Sequence, residues 1–471
     1  MSLSLSVDLE TLQPAVHGAL RAWRTIGGTS ENLLDSLLLV QESRKEVALN
    51  GSPAMLRMAT NEVLLSAIKE MASKDAERAR VLRARFVDRN TIVKAAHRFH
   101  LSPDQVNRLQ RKGIEQLTEI LLGREMAARE QRIGEMQARL QPATYTRLFG
   151  FEEAHAKVVE QLLAAGSPWV VGIVGLGGIG KTALADSVTR KIIGRLHFDE
   201  VIWLRVEGHG MRAPNLTLES LWASLARSLW PQEVAGGSPA QRAVRVRQAL
   251  KSKAHLVVID NLEAEADTAY LLHHLGDLAA PSKFLLTTRT RPPGQAGVFT
   301  LSVSELTPHD SAALLRHHAA TIGLHDLAEA SAADSDAIYD ITGGNPLALK
   351  LVVSLAAVLP LPQILADLKR SRAGQIEEMY CHIYWKAWQT LTPQARDLLQ
   401  AMPLVGASGA RPKQMQAISE LSEAQLWPAI VELTSRSLLE VRGTAWERRY
   451  GIHRLTETFL YTEIIHWTEE A

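Results

Sequence analysis

Between about Leu148 and Val303 the chain alternates two kinds of apolar pattern. Short, nearly all-apolar runs (VVGIV, VIWLRV, HLVVID, KFLLTT and VFTLSV) are separated by longer amphipathic stretches such as TALADSVTRKII and LTLESLWASLARSL. Continuous apolar strands bounded by amphipathic helices indicate a parallel sheet covered on both faces. Before this region the spacing is helical throughout, and after Thr307 it becomes helical again. Two short strand-like runs, SLLEV and RRYGI, return around Gly443. The expected fold class is therefore multidomain, α and α/β. An all-helical N-terminal module (1–123) leads through a helical linker (124–146) to a sheet domain (147–304). A helical domain (305–377) and a winged-helix domain (378–471) follow.

The N-terminal pattern is specific at one place. NTIVKAAHRFHLSPDQVNRLQRKGIEQLTEIL, residues 90–122, fits a helix-turn-helix. Ile92, Ala95 and Ala96 share one face, and His100-Leu101 makes the turn. Ser102 caps the second helix, Pro103 takes its first position, and Gln105 completes a capping box. Glycine is more usual at the turn, but histidine tolerates a left-handed conformation better than most residues. The stretch resembles the fourth region of bacterial sigma factors. At the other end of the chain, TPQARDLLQAM and LSEAQLWPAIVELTSRS predict two helices, which with the two late strands read as a winged helix.

Charge changes this picture locally. The whole chain of 471 residues carries a formal net charge of +1. Yet between Arg78 and Lys112 ten bases face only Asp88 and Asp104. Gln105, Asn107, Arg108, Arg111 and Lys112 fall on the outward side of the second helix, where bases or phosphates of DNA would be read. A solvated basic face or a protein-docking surface is the competing reading. Around the winged helix, Glu420, Glu423 and Glu432 oppose a phosphate backbone, which favours an intramolecular lid there. The single cysteine, Cys381, excludes an internal disulfide framework and fits a reducing compartment. The N-terminus lacks a secretory signal pattern. The most lipid-like stretch, Pro346 to Leu365, is interrupted by Lys350, Pro360 and Pro362, so a buried helix is expected rather than a membrane span. These features predict a cytoplasmic protein.

The candidate chemistry begins at GLGGIGKT, Gly175 to Thr182, which fits the P-loop pattern G-x-x-x-x-G-K-[ST] between a strand and a helix. Gly175, Gly177, Gly178 and Gly180, with Ile179 between them, form the loop whose N–H groups would cradle phosphates. Lys181, Thr182 and Ala183 open the helix. Lys181 would reach the β- and γ-phosphates, and the Thr182 hydroxyl would take a Mg²⁺ position. Asp260, at the end of HLVVID, would hold the same Mg²⁺. The next residue is Asn261 rather than a second acid, so slow hydrolysis is expected, with Glu263 a poorly directed substitute. KFLLTTRTR ends in Arg289, a candidate γ-phosphate sensor, with Thr290 and Arg291 beyond it.

These motifs, in this order, resemble the NB-ARC family of STAND-class signalling ATPases. The resemblance rests on GLGGIGKT, FDEVIWLRV, LVVIDNLE, FLLTTR, GGNPLAL and IHRLTE. It implies an ATP- or ADP-dependent switch. Pro346 would lie near the adenine, and Leu148 and Phe149 of LFGFEE would line the base. Phe151 stands where the family commonly has arginine. His453 matches the histidine that bonds the β-phosphate of ADP and locks the closed state, while Arg454 replaces the usual aspartate. ATP exchange would favour an open, self-associating form, with the N-terminal module as output. A repeat-rich sensor usually follows the winged helix in this family, and here the chain ends at Ala471; a missing sensor or a partner that senses are both open. Two other readings stand beside this one: a DNA-binding transcription regulator with a mainly structural nucleotide site, and a metabolic P-loop kinase, for which no substrate-pocket constellation is visible.

Overall fold

The computed structural model describes residues 8–24, 32–47, 53–206, 218–230, 238–262, 265–289, 297–371, 381, 384–385, 387–405, 409–436, 438–443 and 447–465. Glu263, Thr290 and Arg291, and the side chain of Arg454, lie outside the described residues. Packing divides the chain into two units, residues 1–138 with 194–197, and residues 139–193 with 198–471.

In the first unit, α1 (Leu9–Arg21), α2 (Leu38–Val47), α3 (Pro53–Lys74), α4 (Ala76–Leu82), α5 (Ile92–Phe99) and α6 (Pro103–Ala138) follow in order. Leu12, Leu20, Leu64, Met71, Leu117 and Leu121 are buried together in its core. The α5–α6 pair forms as its sequence predicts. Thr91 caps α5 by accepting the Lys94 N–H, and His100 ends it at φ 57°. The Ser102 hydroxyl accepts from the Gln105 N–H while the Gln105 side chain accepts from the Ser102 N–H, the reciprocal arrangement of a capping box. Ala95, Ala96 and Val106 join Val81 in a small core of their own.

The linker boundary expected at 123 is not a break. Helix α6 runs without interruption for 36 residues. A mid-helix glycine costs about 1 kcal/mol relative to alanine, and Gly123 has open space around it. Contacts on either side outweigh that cost. Leu121 is buried in the core. The buried Glu125 carboxylate accepts the N–H groups of Leu38 and Leu39, at 3.0 and 3.2 Å, at the first turn of α2. Gly113 has a different role: a Cβ there would stand 3.1 Å from Leu82, so the glycine lets α4 and α6 approach.

In the second unit, α7 (Glu152–Leu163) precedes a five-stranded sheet of β1 (Val170–Val174), β2 (Glu200–Arg205), β3 (His255–Leu262), β4 (Lys283–Thr288) and β5 (Val298–Ser302). The order is β2-β3-β4-β1-β5, and every pairing is parallel. All five apolar runs are strands, and β1 and β4 are buried along their whole length. Helices α8 (Lys181–Ile193), α9 (Leu218–Leu229), α10 (Pro239–Ser252) and α11 (Glu265–Leu278) make the crossovers. Parallel sheets place ligand groups at the carboxyl ends of their strands. Here those ends are Val174, Arg205, the Asp260 region of β3 and Thr288.

Next come α12 (Pro308–Thr321), α13 (His325–Ala328), α14 (Ala332–Thr342), α15 (Pro346–Ala356) and α16 (Leu361–Ser371). The lipid-like stretch is thus two helices parted at Pro360, with Leu349, Leu351, Val352 and Val353 buried. Among the described residues no helix is long and apolar enough to cross a membrane. Toward the C-terminus, α17 (Pro393–Ala401), α18 (Pro412–Ser419) and α19 (Glu423–Ser435) lead to an antiparallel hairpin of β6 (Glu440–Gly443) and β7 (Arg448–Gly451), then α20 (Arg454–Phe459). Buried side chains run without interruption from Leu315 and Val352 to Leu398, Leu433 and Leu460, so these helices and the hairpin share one core.

Candidate functional site

Segments from along the second unit surround a cavity of about 840 Å³. Its floor is the loop between β1 and α8. Two glycines there adopt conformations that disfavour a side chain, Gly178 at φ 73° and Gly180 at φ 98°. A Cβ on Gly180 would also stand 3.0 Å from the Phe151 ring, and one on Gly175 would stand 2.7 Å from the Val303 carbonyl. Gly177, Gly178, Gly180, Lys181, Thr182 and Ala183 border the cavity. Gly175 and Ile179 do not; they hold the loop from behind, Ile179 in the core. Lys181 Nζ donates to the carbonyls of Gly175 and Leu176 at 2.9 and 2.8 Å.

The strand ends supply charge. Asp260 is wholly buried. Its Oδ1 accepts from the Thr182 hydroxyl at 2.8 Å and the Thr287 hydroxyl at 2.6 Å. Its Oδ2 is buried with no hydrogen bond, and Arg205 Nε stands 3.8 Å away. The parallel register of β2 and β3 sets Arg205 opposite Asp260. Asn261 sits at φ 73° in an irregularity of β3. Its N–H donates to Thr287 Oγ1 at 2.8 Å, and its side-chain amide donates to the Val206 carbonyl at 3.1 Å. Asn261 is thus engaged in holding the strand ends. Arg289, just past β4, also lines the cavity.

The roof comes from far along the chain. Pro346, Leu347 and Lys350 on α15, His317 and His318 on α12, Glu440 on β6, and His453 before α20 border the same space. His453 keeps part of its surface on the cavity, yet protein packs around its ring. That enclosure pushes its pKa down to about 4, helped by Arg205, Arg289 and Lys181 and opposed by Glu440. Burial, with Lys350 and His317, likewise pushes His318 down to about 4. Burial lowers the Lys350 pKa, and Glu440 partly restores it. The cavity therefore gathers Lys181, Arg205, Arg289 and Lys350 around the neutral imidazoles of His318 and His453, a setting that favours an anion.

Leu148 and Phe149 do not reach the cavity wall. The Phe149 ring is buried beside His317, with centroids 5.4 Å apart, and the Arg147 guanidinium lies over it. Phe151 packs on the glycine loop. The wall on that side is Gln141 to Arg147. The Tyr145 hydroxyl donates to Asp186 at 2.7 Å, and Thr146 Oγ1 meets His317 Nε2 at 2.8 Å. Burial and Asp186 raise the Tyr145 pKa well above the usual phenol range. Motif reading missed these residues, together with Arg205 and Lys350. The only local signal was a polar loop, or a base at the end of an apolar run.

In the first unit, Gln105, Asn107, Arg108, Arg111 and Lys112 are all exposed on α6, opposite Val106 and Gly113, which are buried. No group of His, Cys, Asp and Glu among the described residues could hold a metal ion by itself.

A pH effect follows from His453. Its pKa in the folded chain lies below the ordinary 6.5, so packing favours the neutral ring. The stability this contributes is complete above about pH 6.5 and is lost as pH falls toward 4. Denaturant titrations of nucleotide-free protein at pH 7 and pH 5 should show a larger loss for the wild type than for His453→Gln. The comparison within one pair cancels the parallel titration of His318.

Residues 151–322 match the NB-ARC domain family. Among curated proteins, the chain is 28% identical over 220 residues to TMV resistance protein N of Nicotiana glutinosa, which covers 45% of this chain and 18% of that protein. It is 30% identical over 193 residues to regulatory protein AfsR of Streptomyces griseus, covering 40% of this chain and 18% of that one. Matches of this kind span 12% to 28% of the relatives' own length. Among solved structures, a STAND protein (signal transduction ATPase with numerous domains) with a tetratricopeptide repeat sensor, from Pyrococcus horikoshii, aligns with 67% of this chain and 42% of that chain. Its identity is 18% and its TM-score 0.43.

Proposed function

We propose, from the premise that residues 151–322 are an NB-ARC domain, that this chain is a signalling switch operated by ADP and ATP. The observation that carries the reading is the shared cavity. His453 and the glycine loop with Lys181 border one space, although 272 positions separate the two side chains in sequence. A phosphate group in that space would be held from both sides. His453 then supplies what a switch requires, a contact present in the closed form and absent from an open one.

The residues fit a Mg²⁺–nucleotide. Asp260 Oδ2 is buried without a hydrogen bond, beside the hydroxyl of Thr182, which is the donor chemistry Mg²⁺ takes beside phosphate. Thr182 and Asp260 would hold the ion, whose charge would neutralise phosphate oxygens. Lys181 and the N–H groups around Gly178 and Gly180 would bind the β-phosphate. Arg289 and Arg205 would face a γ-phosphate. Pro346 and Leu347 would pack near the base, with Tyr145, Thr146 and Arg147 on the other wall. Hydrolysis would be slow, because the position after Asp260 holds Asn261 rather than a second acid, and the Asn261 amide is committed to Val206.

The three helices α17 to α19 with the β6–β7 hairpin support a winged helix that acts as a lid. Glu432 bonds the Thr392 N–H and hydroxyl and pairs with Arg436 at 2.9 Å, so this acid is structural. On exchange of ADP for ATP, the lid withdraws His453 and the chain self-associates. The exposed Gln105, Asn107, Arg108, Arg111 and Lys112 support DNA as the output partner. A mobility-shift assay comparing wild type with an Arg108→Ala/Arg111→Ala double variant tests that arm; salt-sensitive binding lost in the variant is the expected result.

The central test is mass spectrometry of nucleotide released from freshly purified protein, which should be ADP. His453→Ala should raise the Kd for ADP about 10- to 100-fold, the range of one hydrogen bond to a charged group, with a smaller change for ATP. Protein that carries no nucleotide and shows no calorimetric ADP binding overturns the switch.

A further inference from the structure

The residue ahead of Pro346 in GGNPLAL does two things at once. Asn345 is the N-cap of α15, and its Oδ1 accepts the N–H groups of Leu347 and Ala348 at 3.0 and 3.4 Å. That fixes the orientation of its amide. The nitrogen then points the other way and donates to the Gly177 carbonyl of the glycine loop at 3.1 Å. The side chain is almost wholly buried. Its own backbone is held just upstream. Gly344 sits at φ 75°, where a Cβ would stand 2.4 Å from the Leu306 carbonyl. The Leu306 N–H donates to the Gly344 carbonyl at 3.0 Å. Asn345 therefore cannot drift with respect to the segment that leaves β5.

Peptide planarity gives this bond a consequence. In a trans peptide the C=O and the following N–H point in opposite directions. Anchoring the Gly177 carbonyl on Asn345 turns the Gly178 N–H away from α15. Gly177 and Gly178 are both free of Cβ atoms, and Gly178 is at φ 73°, so this peptide is among the easiest in the loop to flip. Both glycines border the cavity while Asn345 does not.

We propose that Asn345 is a positioning residue for nucleotide: its amide locks the Gly177–Gly178 peptide with the Gly178 N–H presented to phosphate, and so couples phosphate binding to the N-terminus of α15. This rests on the nucleotide-site reading above. One side chain joins the cradle to the helix that carries Pro346, Leu347 and Lys350 on the cavity wall. A phosphate that pulls on the loop thereby pulls on α15.

The two roles of Asn345 can be separated. Asn345→Asp keeps an oxygen that caps the helix, and aspartate is as good an N-cap as asparagine. It removes the donor and sets a carboxylate against the Gly177 carbonyl. Asn345→Ser keeps a capping hydroxyl without charge and is too short to reach Gly177. The full-length variants, stripped of nucleotide, should melt close to the wild type. Calorimetry with ADP should then show affinity reduced about tenfold or more for Asn345→Asp, about 1.4 kcal/mol, and several-fold for Asn345→Ser. Wild-type affinity in either variant with its melting midpoint retained overturns the proposal alone. Failure of the wild type itself to bind ADP removes the nucleotide reading, and this proposal with it.

Discussion

Lys181→Ala should sharply weaken nucleotide binding, raising the Kd for ADP by about 30-fold or more. The ammonium group is the one cation that starts α8 at the end of the glycine loop, and it already reaches the carbonyls of Gly175 and Leu176. Those neutral acceptors are weaker partners than phosphate oxygens. Removing one member of a hydrogen-bonded charge pair costs about 2–5 kcal/mol, which corresponds to roughly 30- to 4,000-fold in affinity. The fold should survive, because Lys181 is half-buried and its bonds lie within a short surface loop. Isothermal calorimetry beside a circular dichroism melt checks both statements. An affinity within a few-fold of wild type would mean that the anion sits elsewhere in the cavity.

Asp260→Asn should uncouple the nucleotide from its metal. The carboxylate ties the start of α8 to the ends of β4 and β2 through Thr182, Thr287 and Arg205. An amide in its place can still accept the two hydroxyls through its oxygen. Its nitrogen then occupies the position of Oδ2, where it can donate but cannot ligate a cation, and it faces the Arg205 guanidinium. In the wild type, added Mg²⁺ should tighten ATP binding by tenfold or more; in the variant that gain should vanish while metal-free binding persists or improves. Titrating ATP with and without Mg²⁺ reads this directly. An undiminished Mg²⁺ effect would remove Asp260 from the metal's surroundings.

The parts of the fold that the sequence made legible are those governed by local rules. Parallel strands covered on both faces read as largely apolar runs, and the five runs of this kind are the five strands. The cap at Ser102 and Gln105 and the turn at His100 follow from short-range hydrogen bonding. The loop from Gly175 to Thr182 was readable because its glycines, lysine and threonine each answer a distinct requirement of a phosphate. What stayed hidden depends on how distant segments meet. Arg205 reads as a base at the end of a strand, and only the β2–β3 register shows that it faces Asp260. Phe149 was expected beside the base, yet a ring of that size is better stabilised in the core near His317. The smaller, polar Thr146 and the Tyr145 hydroxyl find partners along the cavity wall. Gly123 marks a compositional boundary, but Glu125 and Leu121 hold the helix through it. Asn345 lay inside a recognised motif; its second hydrogen bond, 168 positions away in sequence, had no local trace.

The length of α6 bears on how the first unit carries a load. Thirty-six residues of unbroken helix make a strut roughly 50 Å long, with the exposed bases of residues 108–112 near its start. Such a rod transmits rotation and push along its axis and absorbs little of either. Along its length it packs against α1, α2, α3, α4 and α5 of the first unit, with Val106, Ile114, Leu117, Leu121 and Glu125 buried. A load taken up at the basic end would therefore be shared among the helices packed along the rod, rather than concentrated at a single joint.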